Sequence, residues 1–92
     1  MTTTPETPAS LIDYPSDFPI KVMGAMHEHF ASTIVEVVMQ FDPEFGHHKL
    51  EQRPSTKGNY LGLTVTVRAT SREQLDDLYR ALSSHPMVKM VL

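Results

Sequence analysis

Leu61-Gly62-Leu63-Thr64-Val65-Thr66-Val67-Arg68-Ala69, entered through Lys57-Gly58-Asn59-Tyr60, is the most regular stretch of the chain. Leu61, Leu63, Val65, Val67 and Ala69 alternate with Gly62, Thr64, Thr66 and Arg68. A period of two belongs to a strand with one buried face and one wet face. Gly58-Asn59 supplies two residues that tolerate positive φ, which suits a hairpin leading into this strand. Its partner is expected across Gly46 to Arg53, with Leu50 inward and Lys49 and Glu51 outward.

Upstream, Phe18, Ile20 and Val22 alternate with Lys21 and Met23 as a first strand, which Gly24 is expected to break. Met26, Phe30, Ile34, Val37, Val38 and Phe41 then recur at three and four residues. That stripe predicts a helix from Ala25 to about Phe41, stopped by Asp42-Pro43. Downstream, Thr70 with Glu73, or Ser71 with Gln74, has capping-box spacing ahead of Leu75, Leu78, Tyr79 and Leu82. Ser83 to Pro86 ends this second helix. Val88, Met90 and Leu92 alternate with Lys89 and Val91 as a final strand.

The order strand, helix, strand, strand, helix, strand defines an α+β fold. It is the ferredoxin-like βαββαβ sandwich, a four-stranded antiparallel sheet with two helices on one face. Residues 11–92 are read as one such domain. Residues 1–10, rich in Thr and Pro, are read as a disordered N-terminal tail, and Leu11 to Pro15 as a segment able to dock on the folded body. The uncovered sheet face is expected to carry Lys21, Met23, Gly62, Thr64, Thr66, Arg68, Lys89 and Val91. Lys49 and Arg53 join them if the second strand has the register above.

Composition removes several function classes. The 92 residues include no cysteine, so thiol nucleophiles, disulfides and zinc-thiolate sites are excluded. No apolar run approaches the roughly 18 residues of a membrane span, and no signal-peptide pattern opens the chain. A cytoplasmic protein with no membrane association is expected. The net charge of −3 disfavours non-specific nucleic-acid binding. Its distribution is uneven: His47 to Arg68 holds four basic residues against one acid, and the remainder holds four against ten. An anion-facing or partner-facing surface is one reading of that stretch, and a charged sheet edge the other.

Chemical motifs are sparse. His27 and His29 stand two residues apart, which puts them nearly opposite on a helix, and His47 and His48 would point to opposite sides of a strand. Neither spacing suits a metal, so no metal or other cofactor is expected. No serine is set in a nucleophile elbow, and Asp76-Asp77 reads as a solvated helix face, so no catalytic residues are assigned and no enzyme is expected. The RNA-recognition alternative uses the same sheet, but it needs aromatic rings on the open face, and Tyr60 alone is not a platform. Lys57-Gly58-Asn59-Tyr60 can also be read as an anion nest, with Arg53 and Lys57 adding charge. The candidate ligand-binding residues are therefore Arg53, Lys57, Gly58, Asn59, Tyr60 and Arg68.

Lys21-Val22-Met23-Gly24, Val35-Glu36-Val37-Val38, Pro54-Ser55-Thr56-Lys57-Gly58-Asn59-Tyr60, Leu78-Tyr79-Arg80-Ala81-Leu82 and Val88-Lys89-Met90-Val91-Leu92 together resemble the YbeD family of small bacterial proteins. The match runs from about Leu11 to Leu92, and Leu61-Gly62-Leu63 departs from the more polar residues of the family there. The resemblance implies a ferredoxin-like fold close to the ACT regulatory domains, which bind small effectors, often amino acids, at dimer interfaces. Members often lie near lipoate-attachment genes, which implies a regulatory or accessory role. No catalytic residue is carried over. The expectation is a non-catalytic homodimeric domain that binds a small anionic or amino-acid-like effector, or a protein partner.

Overall fold

The computed structural model describes residues 14–92; the tail assigned to residues 1–10, and Leu11 to Asp13 of the docking segment, lie outside the described residues. Six elements run in the expected order: β1 (Ser16–Ala25), α1 (Phe30–Met39), β2 (Leu50–Pro54), β3 (Tyr60–Ala69), α2 (Arg72–Ser83) and β4 (Val88–Val91). The sheet order is β2-β3-β1-β4, with every neighbouring pair antiparallel. This is the ferredoxin-like arrangement.

The alternation in β3 is realised residue by residue. Leu61, Leu63, Val65, Val67 and Ala69 are buried, and they join Ile20 and Val22 of β1 under Phe30, Ile34, Val35 and Val38 of α1 and Leu75, Leu78 and Leu82 of α2. The β1–β3 ladder runs from Ser16 opposite Ala69 to Ala25 opposite Tyr60. In that register the odd residues of β1 and the even residues of β3 share the uncovered face.

Several local expectations are corrected. Gly24 does not break β1, which continues to Ala25. Gly24 is buried, and a Cβ there would meet the Met87 carbonyl oxygen and lie 2.6 Å from Cζ of Phe30. The glycine serves close packing, not a turn. Helix α1 accordingly begins at Phe30 instead of Ala25 and ends at Met39. Met26, assigned to its buried stripe, is 43% exposed. Between strand and helix, His27 accepts the backbone N–H of His29 through Nδ1 at 3.0 Å, and Phe30 N–H donates to the His27 carbonyl at 3.1 Å.

The strand expected over Gly46 to Arg53 is shorter and later. His47–Lys49 form a single 3-10 turn, with Phe45 buried ahead of it, and the strand proper is Leu50–Pro54. His47, His48 and Lys49 therefore leave the sheet. In the hairpin only Gly58 has positive φ, at 75°, and Asn59 does not share that role. Ser55 closes the hairpin instead. Its N–H donates to the Tyr60 carbonyl at 2.9 Å, its hydroxyl accepts Tyr60 N–H at 3.1 Å, and its carbonyl accepts Gly58 N–H at 3.0 Å.

The last strand shows the largest departure. Val91 lies opposite Val22 and Met90 opposite Met23, but Val88, not Lys89, lies opposite Gly24. This one-residue shift is a β-bulge, and a bulge flips the face of the residues beyond it. Val88 and Val91 both pack against the core, while Met90 and Leu92 turn to the open face. Val91 is thus removed from the surface assigned to it.

Capping-box spacing before α2 is used with a change of partner. Ser71 is the N-cap and its hydroxyl accepts Gln74 N–H at 3.0 Å. Gln74 reaches back to Thr70, where Oε1 accepts N–H at 2.6 Å, and its Nε2 donates to the Phe41 and Arg68 carbonyls at 2.8 and 3.2 Å. One side chain joins the end of α1, the end of β3 and the start of α2.

Candidate functional site

Because both helices lie on one face, the other side of the sheet presents rows of cross-strand neighbours. One row runs Met90, Met23, Gly62, Arg53, and the next runs Lys21, Thr64, Glu51, with Leu92 bonded to the Lys21 backbone at its β4 end. The β2–β3 hairpin rises beside these rows through Pro54, Ser55, Thr56 and Tyr60. Together they enclose an open groove of about 630 Å³. That is within the ordinary range for small-ligand sites.

The groove owes its depth to Gly62. Flanked by Met23 and Arg53, it contributes no side chain to the floor, and a Cβ there would make nothing closer than a 3.5 Å contact with the Arg53 carbonyl. Packing did not require glycine at this position; a wider groove results from it.

The two ends differ chemically. On the β4 side stand Met23, Met90 and Leu92, which are 41%, 50% and 67% exposed. On the β2 side stand Arg53, Glu51 and the hydroxyls of Ser55 and Thr56, and Lys21 projects from the middle. Among the described residues, Arg68 pairs with Asp17 at 3.4 Å, Arg72 with Asp76 at 3.7 Å and Arg80 with Asp77 at 2.9 Å. No such carboxylate partner is found among them for Lys21 or Arg53. Two cations against the one acidic side chain of Glu51 leave the trough's side chains with a positive excess that attracts an anion, while exposed methionines offer an adaptable apolar wall.

The six candidate residues separate into three places. Arg53 and Tyr60 line the groove. Lys57, Gly58 and Asn59 form the exposed hairpin tip and do not line it. In the tip, the N–H groups of Gly58 and Tyr60 are already held by Ser55, so two donors of an anion nest are engaged. Arg68 sits at the opposite end of β3, bound to Asp17. Lys21, Met23, Gly62 and Thr64 belong to the open face by the alternation and Glu51 is outward on β2 as expected, whereas Met90 was expected on the opposite face. The groove formed by the curl of the hairpin over Gly62 has no sequence signal.

Elsewhere the candidates for chemistry are dispersed. His27 and His29 lie in the turn before α1 with ring centroids 5.4 Å apart, not on opposite sides of a helix. Among the described residues no three His, Asp or Glu side chains come together as metal ligands, and no helix is long and apolar enough to cross a membrane. The open-face positions of β1 and β3 carry a single aromatic ring, Tyr60.

The fold and groove define a ferredoxin-like α+β protein with a concave, half-apolar sheet face. A solved structure of protein HP0495 from H. pylori has this fold, with a TM-score of 0.73 at 17% identity over 97% of this chain and 98% of that one. The chain belongs to the family described as "Protein of unknown function (DUF493)", matched over residues 9–92. It is 71% identical over 91 residues to a UPF0250 protein of Ralstonia nicotianae, covering 97% of this chain and 94% of the relative. It is 74% identical over 83 residues to a UPF0250 protein of a Janthinobacterium, covering 90% and 91%. YbeD is the UPF0250 family, so the resemblance read from the sequence is borne out.

Proposed function

We propose that this chain is a non-catalytic regulatory or accessory domain that reversibly binds a small organic anion with an apolar portion in the open-face groove. The observation that carries this reading is the pairing of Arg53 and Lys21, each without a carboxylate partner among the described residues, with the exposed Met23 and Met90 across the empty floor at Gly62. Strands β1 and β2 flank β3, and Lys21 and Arg53 stand opposite Thr64 and Gly62, so the two cations start about 12 Å apart. Long flexible side chains converge over such a distance on one carboxylate. The apolar end then holds the rest of the ligand. The ACT-like fold supports an effector role by analogy, and the lipoate association of the YbeD family suggests which carboxylates to try first.

The test begins with 8-anilinonaphthalene-1-sulfonate, an anion with an apolar body, titrated into the wild type and into Gly62→Val and Arg53→Ala. Saturable one-site binding, abolished by Gly62→Val and weakened about tenfold or more by Arg53→Ala, supports the site. A thermal-shift panel of amino acids and lipoate-related acids comes next. A ligand at about 100 times its Kd adds about 2.7 kcal/mol, a rise of roughly 10 °C or more for a domain of this size. Binding indifferent to both substitutions, or silence across probe and panel, defeats the proposal.

A further inference from the structure

Met23 and Met90 lie directly opposite each other on β1 and β4, with both thioethers on the apolar wall of the groove. They are 41% and 50% exposed, within reach of solutes. The chain has six methionines and no cysteine, so thioethers are its sulfur groups open to two-electron oxidants. We infer that the Met23–Met90 pair is a reversible oxidation site that controls the groove, with a hydroperoxide as the substrate class. This rests on the groove being the binding site.

The chemistry balances without a metal. A sulfur lone pair attacks one peroxide oxygen, an S–O bond forms and the O–O bond breaks. The leaving oxygen departs as water, or as an alcohol from an organic hydroperoxide, by taking up the proton that the transferred oxygen gives up as the neutral sulfoxide forms. Sulfur is oxidised by two electrons and the peroxide reduced by two. The return step is catalysed by a thiol-dependent sulfoxide reductase: a dithiol gives up two electrons and two protons, the sulfoxide oxygen leaves as water, and the dithiol becomes a disulfide.

Location makes this pair consequential. Neighbours across a ladder approach to about 5 Å between Cβ atoms, so two sulfoxides place two strong dipoles side by side on the wall that holds the apolar part of a ligand. The pair also abuts the register shift between Met23 and Gly24, in a β4 of four residues that is tied beyond its end by the backbone bonds of Leu92 to Lys21. Met26 and Met39 are both 43% exposed but lie outside the groove, and they serve as internal controls.

The experiment treats the full chain with hydrogen peroxide and follows sulfoxide at each methionine by peptide mass spectrometry. Anilinonaphthalene sulfonate binding and the amide NMR signals of Gly62 and Thr64 are read on the same samples. Wild type and Met26→Leu/Met39→Leu are expected to lose dye affinity about tenfold or more on oxidation. They should regain it with the two epimer-specific sulfoxide reductases together and dithiothreitol. Met23→Leu/Met90→Leu, referred to its own untreated dye affinity whatever that value is, should show no change in affinity on peroxide treatment. If the untreated protein binds no dye, the groove reading fails separately, and the Gly62 and Thr64 signals still decide the redox claim. Oxidation at Met23 and Met90 that leaves those signals in place overturns it. So does equal loss of binding in Met23→Leu/Met90→Leu.

Discussion

Asp42 accepts the backbone N–H of Arg68 through Oδ2 at 2.9 Å, across 26 residues of sequence. Its other carboxylate oxygen accepts the N–H of Glu44 at 3.1 Å. Asp42 is 4% exposed, the buried polar side chain among the described residues. It comes just after the last turn of α1 and lands on the end of β3, so it clamps the first helix to the sheet while Gln74 ties both to α2. Asp42→Ala leaves two N–H groups without their acceptors, at a cost of about 2 kcal/mol. A melting midpoint lowered by roughly 10 °C is expected. Asp42→Asn, which turns a donor toward one of those N–H groups, should also melt below wild type. Unchanged midpoints in both would show that the clamp is incidental.

Gly24→Ala distinguishes close packing from strand-breaking. A methyl group meets the Met87 backbone oxygen and the Phe30 ring. Backbone cannot give way as a flexible side chain can, so a loss of about 1–3 kcal/mol is expected in chemical denaturation. A glycine needed only for chain reversal would predict a native-like Ala variant.

The junction at α2 should behave as one unit. Ser71→Ala removes an N-cap and costs about 1 kcal/mol. Gln74→Ala loses bonds to Thr70, Phe41 and Arg68 and should cost more. Because Gln74 and Asp42 both hold the segment around Phe41 and Arg68, their double mutant should deviate from additivity by about 0.5 kcal/mol or more. Strict additivity in a double-mutant cycle would separate the two contacts.

Tyr79 gives the pH dependence. Burial raises the pKa of its phenol above the usual 10.0, because the half-buried ring disfavours the charged form. A raised folded-state pKa means that the stabilising contribution is intact below pH 10 and is lost as pH climbs through the folded value. Stability should fall above about pH 10 in wild type, and less steeply in Tyr79→Phe. Parallel profiles from pH 9 to 11.5 for the two proteins would contradict this.

The regular elements were legible because their signals are local. Alternation over Leu61–Ala69 and the stripe at Leu75, Leu78 and Leu82 each require only that one face be buried, and the structure buries those faces. The start of α1 was misread because Met26 has the right spacing but falls in a turn held by His27 and His29. Asp42 passed as a helix stop because its carboxylate finds a partner 26 residues away. Within the groove, Arg53 and Tyr60 were named from turn chemistry, and Met23 and Gly62 from the face they share. Arg68 was named by the same alternation, although the structure sets it at the far end of the sheet.

Periodicity, caps and turn residues thus determined from the sequence alone that two helices and four strands form, in which order, and which side of β1 and β3 is wet. Only the tertiary structure decided which side of β4 faces the groove, where α1 begins, and that Gly24 and Gly62 are small for opposite reasons. Alternation specifies a face relative to its own strand, whereas a bulge at Met23/Gly24 reverses that face through a neighbour. A missing side chain becomes a tight contact at Gly24 and an open floor at Gly62 because of atoms brought there by distant parts of the chain. Long-range contacts of that kind leave no period to read.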